Sequence, residues 1–155
     1  MTKYLLDTSA LAKAFREEEG SIDVMVIFAD LESQFLITSL TTVEFQSVFA
    51  QKVRAGQISI DDYQLVRRKF GGQVRTKSLI VKNLLRRHQR RAEQLIATHG
   101  PQRRLRTLDA LQLAMAVELN ADGQIDYFVV ADRQLAEIAR LEGLHVIEPS
   151  GTLPS

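Results

Sequence analysis

The sequence predicts an α/β fold: a single domain whose central, mainly parallel sheet of about five strands is covered by helices on both faces. Three observations carry this. Short apolar runs alternate along the chain with longer stretches of helical periodicity. The runs are apolar at consecutive positions, as strands buried on both faces require. The 155 residues make one domain of ordinary size, with neither an internal repeat nor a low-complexity segment.

The first strand is Tyr4-Leu5-Leu6, and a helix with Ala10, Leu11, Ala14 and Phe15 at its apolar positions follows until Glu17 to Gly20 closes it. Ser21 then caps an amphipathic helix containing Ile22, Val24, Met25, Ile27, Phe28 and Leu31. Phe35 to Thr38 is the second strand. The hydroxyls of Ser39, Thr41 and Thr42 suit a helix start, which places Glu44 in the first turn of a helix that runs to Gly56. Ser59-Ile60-Asp61-Asp62 opens the next helix, and Gly71-Gly72 reads as its stop and as a hinge or turn. Leu79-Ile80-Val81 is a third strand. A basic helix from about Leu84 to Thr98 ends at Gly100-Pro101, and a mostly apolar helix opens at Thr107-Leu108-Asp109. Tyr127 to Val130 is the fourth strand, Asp132 precedes the last helix, Gly143 stops it, and Leu144 to Ile147 is the fifth strand. Residues 1–148 form the expected domain and residues 149–155 a loose tail.

Composition removes several classes of chemistry. The chain has no cysteine, so thiolate nucleophiles, redox pairs and thiolate zinc sites are absent. No run approaches the roughly 18 apolar residues of a membrane span, and a soluble, cytoplasmic protein with no membrane partner is expected. His88, His99 and His145 lie on separate elements with no metal-ligand spacing, and no glycine-rich phosphate loop is present. Charge is unevenly spread. From Lys82 to Arg106, eight basic residues stand against Glu93 alone, a local net charge of +7 in a chain whose total is +1. That asymmetry points to an anionic partner.

The acids with the most informative positions are Asp7, Glu44, Asp109 and Asp132. Each taken singly is explained by helix capping or by the helix dipole. Taken together, Asp7, Glu44 and Asp132 follow strands and precede or open helices, which places them at the C-terminal edge of the sheet, where open α/β sheets bind ligands. Asp109 joins them if its helix starts at the same edge. Four carboxylates gathered there would repel one another unless a cation held them, and oxygen-only ligation suits Mg²⁺ or Mn²⁺. Asp122 and Asp126 precede a strand and belong to the opposite edge.

The stretches Leu5-Leu6-Asp7-Thr8-Ser9-Ala10, Thr42-Val43-Glu44-Phe45, Thr107 to Ala114 and Phe128 to Leu135 resemble, in order, the four acidic motifs of PIN-domain ribonucleases, most closely the VapC-type toxins. The resemblance implies a PIN-like nuclease domain and a Mg²⁺- or Mn²⁺-dependent endoribonuclease that works as a homodimer, often with an antitoxin partner. It also implies that Asp7, Glu44, Asp109 and Asp132 are the acidic catalytic and metal-binding residues. The chain departs from the pattern at Val130, where many relatives carry Thr or Ser. Thr8 and Ser9 are candidates for hydrogen bonding in the site, or for capping the helix. Arg103, Arg104 and Arg106, which lead into Asp109, and Arg133, next to Asp132, are candidate RNA contacts. The arginines at 86, 87, 90 and 91 read as a solvated helix face. A catalytically weak PIN-fold module that binds RNA or a protein is the alternative. A haloacid-dehalogenase-like phosphatase would need an acid at position 9, which is Ser, and a receiver domain would need one after the third strand, where Lys82-Asn83 stands.

Overall fold

In a computed structural model, which describes residues 1–149, five strands form one sheet in the order β3-β2-β1-β4-β5, and every pairing is parallel. The strands are β1 (Lys3–Leu6), β2 (Gln34–Thr38), β3 (Ile80–Lys82), β4 (Tyr127–Val129) and β5 (Val146–Ile147). The helices are α1 (Thr8–Ala12), α2 (Ser21–Phe28), α3 (Ser39–Arg54), α4 (Ile60–Arg75), α5 (Arg86–His99), α6 (Thr107–Ala121) and α7 (Arg133–Leu141).

Consecutive apolar residues in a strand point to opposite faces, and the packing divides accordingly. Leu5, Leu36 and Phe128 join one core with Ala92 and Leu95 of α5, Leu113 of α6 and Leu135 of α7. Leu6, Phe35, Ile37 and Val129 join the other with Leu11, Val24, Phe45, Phe49 and Phe70 from α1 to α4. The rings of Phe45 and Phe70 stack at 4.2 Å in this second core, and Phe15 meets Phe45 edge-on at 5.0 Å. The sheet is therefore covered on both faces, as expected. The chain builds outward from β1 through β2 to β3 and then returns to β4 on the other side of β1. The topological switch thus falls between β1 and β4, the position where parallel sheets open a crevice.

Several local expectations are corrected. The first helix is shorter than its periodicity suggests: after Ala12 the chain tightens into i→i−3 bonds, Ala14 to Leu11 at 3.0 Å and Phe15 to Ala12 at 3.1 Å. Ser21 does not cap α2. Gly20 does, at φ +87°, and a side chain there would meet the Pro149 carbonyl oxygen at 2.6 Å, so glycine is required. The Ser21 hydroxyl instead donates to the Arg16 carbonyl. Helix α2 is not cleanly amphipathic, because Ile22 and Val26 face solvent, and Leu31 lies beyond its end. Gly71-Gly72 neither stops α4 nor forms a hinge; the helix runs through both to Arg75. Burial of Phe70, with Val66 and Val74 packed against the same core, outweighs the roughly 1 kcal/mol that each interior glycine costs. Glu44 lies in the second turn of α3, because Thr38 ends β2 and caps the helix at once, accepting from the Thr41 amide at 3.3 Å. Apart from Pro149, the expected tail lies outside the described residues.

Candidate active site

Asp7 emerges from β1 into the switch crevice as the N-cap of α1. Its Oδ1 accepts from the Ala10 amide at 2.9 Å, and the Ser9 hydroxyl lies 2.9 and 2.8 Å from its two oxygens. Only 6% of the residue is exposed. Burial is the main reason its pKa rises to about 7, and Asp109 and Glu44 push it the same way against the lowering effect of Ala10 and Ser9. Asp109, in the first turn of α6, is half-buried and its pKa is also raised, first by burial and then by Asp132 and Glu44, with Arg106 opposing. Its carboxylate makes no hydrogen bond or ion pair among the described residues.

Glu44 comes from α3. Its Oε1 accepts from Gln112 Nε2 at 3.1 Å and from the Thr8 hydroxyl at 3.2 Å. Asp132 is exposed and caps α7, where its Oδ1 accepts from the Gln134 and Leu135 amides at 2.9 and 3.1 Å. These four acids line one cleft of about 260 Å³ together with Thr8, Ser9, Lys13, Glu18, Lys52 and Gln112. The structure thus brings together the four acids and both hydroxyl residues singled out from the sequence. Asp126 accepts from the Lys3 amide at the start of β1, so it belongs to the opposite edge, as expected. Val130 is fully buried in the core cluster that contains Leu135 and Ile138 and does not line the cleft.

Reading the sequence missed four polar residues of the cleft, Lys13, Glu18, Lys52 and Gln112. Lys13 and Lys52 reach into it but are tied to Glu18, at 3.4 and 3.3 Å, and do not neutralise the four acids. Gln112, 3% exposed, spans from α6 to α3. A usable signal existed for it: Gln112 is the only polar residue between Ala110 and Val117, three positions after Asp109 on the same helix face. Lys52 carried a weaker one, two helical turns after Glu44 on α3.

The candidate RNA contacts are distributed around this cleft. Arg103 and Arg104 line a polar cavity of about 470 Å³ with Gln102, Gln134 and Glu137, and Arg103 reaches Glu137 at 3.5 Å. Gln134 also donates its amide to Asp132, so cavity and cleft meet at the start of α7. Arg106 is the N-cap residue of α6, and Arg133 is exposed beside Lys13, Arg140 and Glu148. On α5, Arg87 is not freely solvated: it forms a bidentate pair with Glu118 at 2.7 and 2.8 Å. The histidines form no site: His88 meets Glu118 at 2.9 Å, His99 meets Glu142 at 3.1 Å, and His145 lies against Tyr127.

The PIN domain family model matches residues 4–141. The chain belongs to the PIN domain family. Solved structures with the same fold include VapC20 of Mycobacterium tuberculosis, described as a sarcin-ricin-loop-cleaving toxin, at 13% identity and a TM-score of 0.65, covering 97% of this chain and 99% of that one. The VapBC2 complex of Rickettsia felis bound to promoter DNA matches at 14% identity and a TM-score of 0.64, with coverage of 95% and 98%. A toxin–antitoxin complex from Klebsiella pneumoniae matches at 16% identity and a TM-score of 0.60, with coverage of 96% and 99%. No curated protein matches the sequence. At these identities the likeness establishes the fold of this PIN domain.

The donor chemistry of the cleft suits a hard divalent cation: the acids offer only oxygen, Asp7 is charged at a cost, and the Asp109 carboxylate makes no hydrogen bond or salt bridge among the described residues. Among the described residues, no group of three or more His, Asp or Glu side chains stands in an ion-holding arrangement. The cleft is therefore an acidic crevice whose side chains a cation would have to draw inward. Among the described residues, no helix is long and apolar enough to cross a membrane.

Proposed function

We propose that this PIN domain is a Mg²⁺- or Mn²⁺-dependent endoribonuclease, the toxin of a toxin–antitoxin pair, acting in the cytoplasm as a homodimer. The observation that carries the reading is the meeting of Asp7, Glu44, Asp109 and Asp132 in one cleft at the sheet's switch point, with the Asp109 carboxylate unpartnered among the described residues. Membership of a family whose domains are generally nucleases supports it.

In this reading Asp7 and Asp109 hold the cation most directly, and Glu44 and Asp132 act through water. When bound, the cation acidifies a coordinated water and offsets charge on the phosphoryl and leaving oxygens. The chain's own residues prepare that chemistry. Ser9 and the Ala10 amide fix the Asp7 carboxylate, while Thr8 and Gln112 fix Glu44. Arg103, Arg104, Arg106 and Arg133 bind phosphates of the RNA beside the cleft without reading its sequence. Two protomers would join such basic surfaces into one groove, so light scattering should report a dimer.

The antitoxin partner rests on the neighbouring solved complexes and on one surface of this chain. Ile22, Met25 and Val26 of α2 are exposed beside a groove of about 570 Å³ that also contains Arg16, whose Nη1 is buried and makes no hydrogen bond among the described residues. An apolar segment carrying an acid would cover both.

Purified protein with Mn²⁺ should cleave single-stranded RNA, and Asp7→Asn should reduce cleavage by about 100-fold or more. Undiminished cleavage by that variant removes the assignment. Val130 and the arginine clusters motivate one other reading, an RNA- or partner-binding module without appreciable hydrolysis. RNA binding without Mn²⁺-dependent cleavage would establish it.

A further inference from the structure

Glu44 is held in place by a side chain from another helix. Gln112 lies on α6 one turn beyond Asp109, is almost completely buried, and lines the acidic cleft. Its Oε1 accepts from the Thr38 hydroxyl at 2.8 Å, and its Nε2 donates to the Thr41 hydroxyl at 2.8 Å and to Glu44 Oε1 at 3.1 Å. Thr38, Thr41 and Glu44 follow one another at three-residue intervals from the end of β2 into α3, so a single amide spans three contacts on one face. Thr8 of α1 closes the network from the other side, reaching Thr41 at 3.1 Å and Glu44 at 3.2 Å.

The chemistry of these contacts dictates an amide. An ionised carboxylate only accepts, so the group facing Glu44 Oε1 must be a donor. Thr38 Oγ1 already accepts from the Thr41 amide, which leaves its hydrogen for an acceptor, and the Gln112 carbonyl supplies one. The reverse orientation would set two acceptor oxygens against each other at Glu44. An apolar residue of the same length would strip a donor from Glu44, and a glutamate would add a further charge to a cleft that already holds four unpaired acids.

We infer that Gln112 is a positioning residue for the proposed nuclease reaction, one that acts through Glu44. Together with Thr8 it occupies Glu44 Oε1, so only Oε2, which makes no hydrogen bond among the described residues, remains for the cation or its water. Helix α6 thus contributes to the cleft twice, directly through Asp109 and indirectly through Gln112. The inference rests on the proposed nuclease reading.

The test is a double-mutant cycle of Gln112→Met and Glu44→Gln, read by RNA cleavage and by calorimetric titration of Mn²⁺. Gln112→Met should lower kcat by about 10-fold or more and weaken Mn²⁺ binding by a similar factor, while KM for RNA stays within about twofold. In the Glu44→Gln background the same substitution should change Mn²⁺ affinity and any residual kcat by less than about twofold. Equal losses in both backgrounds, or no loss in the wild-type background, would overturn the inference. Should Gln112→Met not fold, Thr38→Val releases the amide's carbonyl end, and with it the α3 cap, while keeping the Glu44 side chain itself. It should give a smaller loss, about threefold, again only where Glu44 is intact, and a background-independent loss would overturn the inference equally. If the wild-type protein neither cleaves RNA nor binds Mn²⁺, the nuclease reading fails by itself. The positioning claim is then read from the carboxyl carbon resonance of Glu44, which should move in Gln112→Met or Thr38→Val. A resonance that stays in place in a folded variant refutes the claim.

Discussion

Helix α6 carries two acids in opposite electrical situations. Glu118, near its C-terminal end, receives a bidentate pair from Arg87 and a contact from His88, and chiefly through Arg87 its pKa falls to about 2. Asp109, in the first turn, has no such partner, and its pKa is raised from the ordinary value, first by burial and then by Asp132 and Glu44. Across the cleft Asp7 is buried, with a pKa raised to about 7. One helix therefore holds an acid paired by a salt bridge and another that forms none among the described residues. The paired Glu118 fastens α5 to α6, whereas under the proposed function the acids of the cleft would hold a cation supplied from outside.

The sharpest way to break this comparison is to remove one charge from each end. Asp109→Asn should lower Mn²⁺-dependent RNA cleavage by about 100-fold or more, and Glu118→Gln should leave the rate within about twofold. Similar losses in both would show that the acids differ only in their surroundings and not in function.

Stability without metal should change in opposite directions. Because the folded-state pKa of Asp7 is raised from 3.8 to about 7, the folded state keeps a proton that the unfolded chain releases. Its contribution is fully favourable below the unfolded value and is lost as pH rises through about 7. At pH 8, Asp7→Asn should raise Tm by several degrees, on the order of a few kcal/mol, since asparagine can still accept from the Ala10 amide. The depressed pKa of Glu118 gives the reverse: stability is present above its unfolded value of 4.5 and fades as pH falls toward about 2. Glu118→Gln should therefore lower Tm at pH 7, and the deficit should shrink in acid. Thermal melts at pH 4, 6 and 8 read both signs.

The smallest effect concerns the basic surroundings. Arg103→Ala with Arg104→Ala should weaken RNA binding uniformly across sequences and reduce the salt slope by about 0.7 for each lost phosphate contact. Fluorescence titration at several salt concentrations measures it, and a loss confined to one RNA sequence would turn these arginines into readers of bases.

Much of this arrangement was legible in the chain. Consecutive apolar residues at Leu5-Leu6 and Phe128-Val129 announced strands with two covered faces, and Asp7 and Asp132 declared themselves as acids at the ends of strands. The misreadings came where tertiary packing overrides local preference. Gly71-Gly72 looks like a stop, yet the apolar side of α4 continues through Phe70 to Val74 and carries the helix across. The hydroxyls of Ser39, Thr41 and Thr42 offered caps, but the exit from β2 makes Thr38, the last strand residue, the cap, which moves Glu44 one turn deeper. Lys52 joins the Lys13–Glu18 pair from 34 residues away, and its spacing from Glu44 does not announce that contact. Gln112 could have been noticed as the polar exception in an apolar run, but its partners Thr38 and Thr41 emerge only when α3 and α6 meet.

The most direct measurement is calorimetric titration of Mn²⁺ into the metal-free protein and into Asp109→Asn. Saturable binding by the wild-type protein, accompanied by proton release as the Asp7 carboxyl ionises and lost in the variant, is the predicted result. No saturable binding to the wild-type protein, or equal binding by both, would contradict the claim that the unpaired acids of this cleft exist to hold a cation.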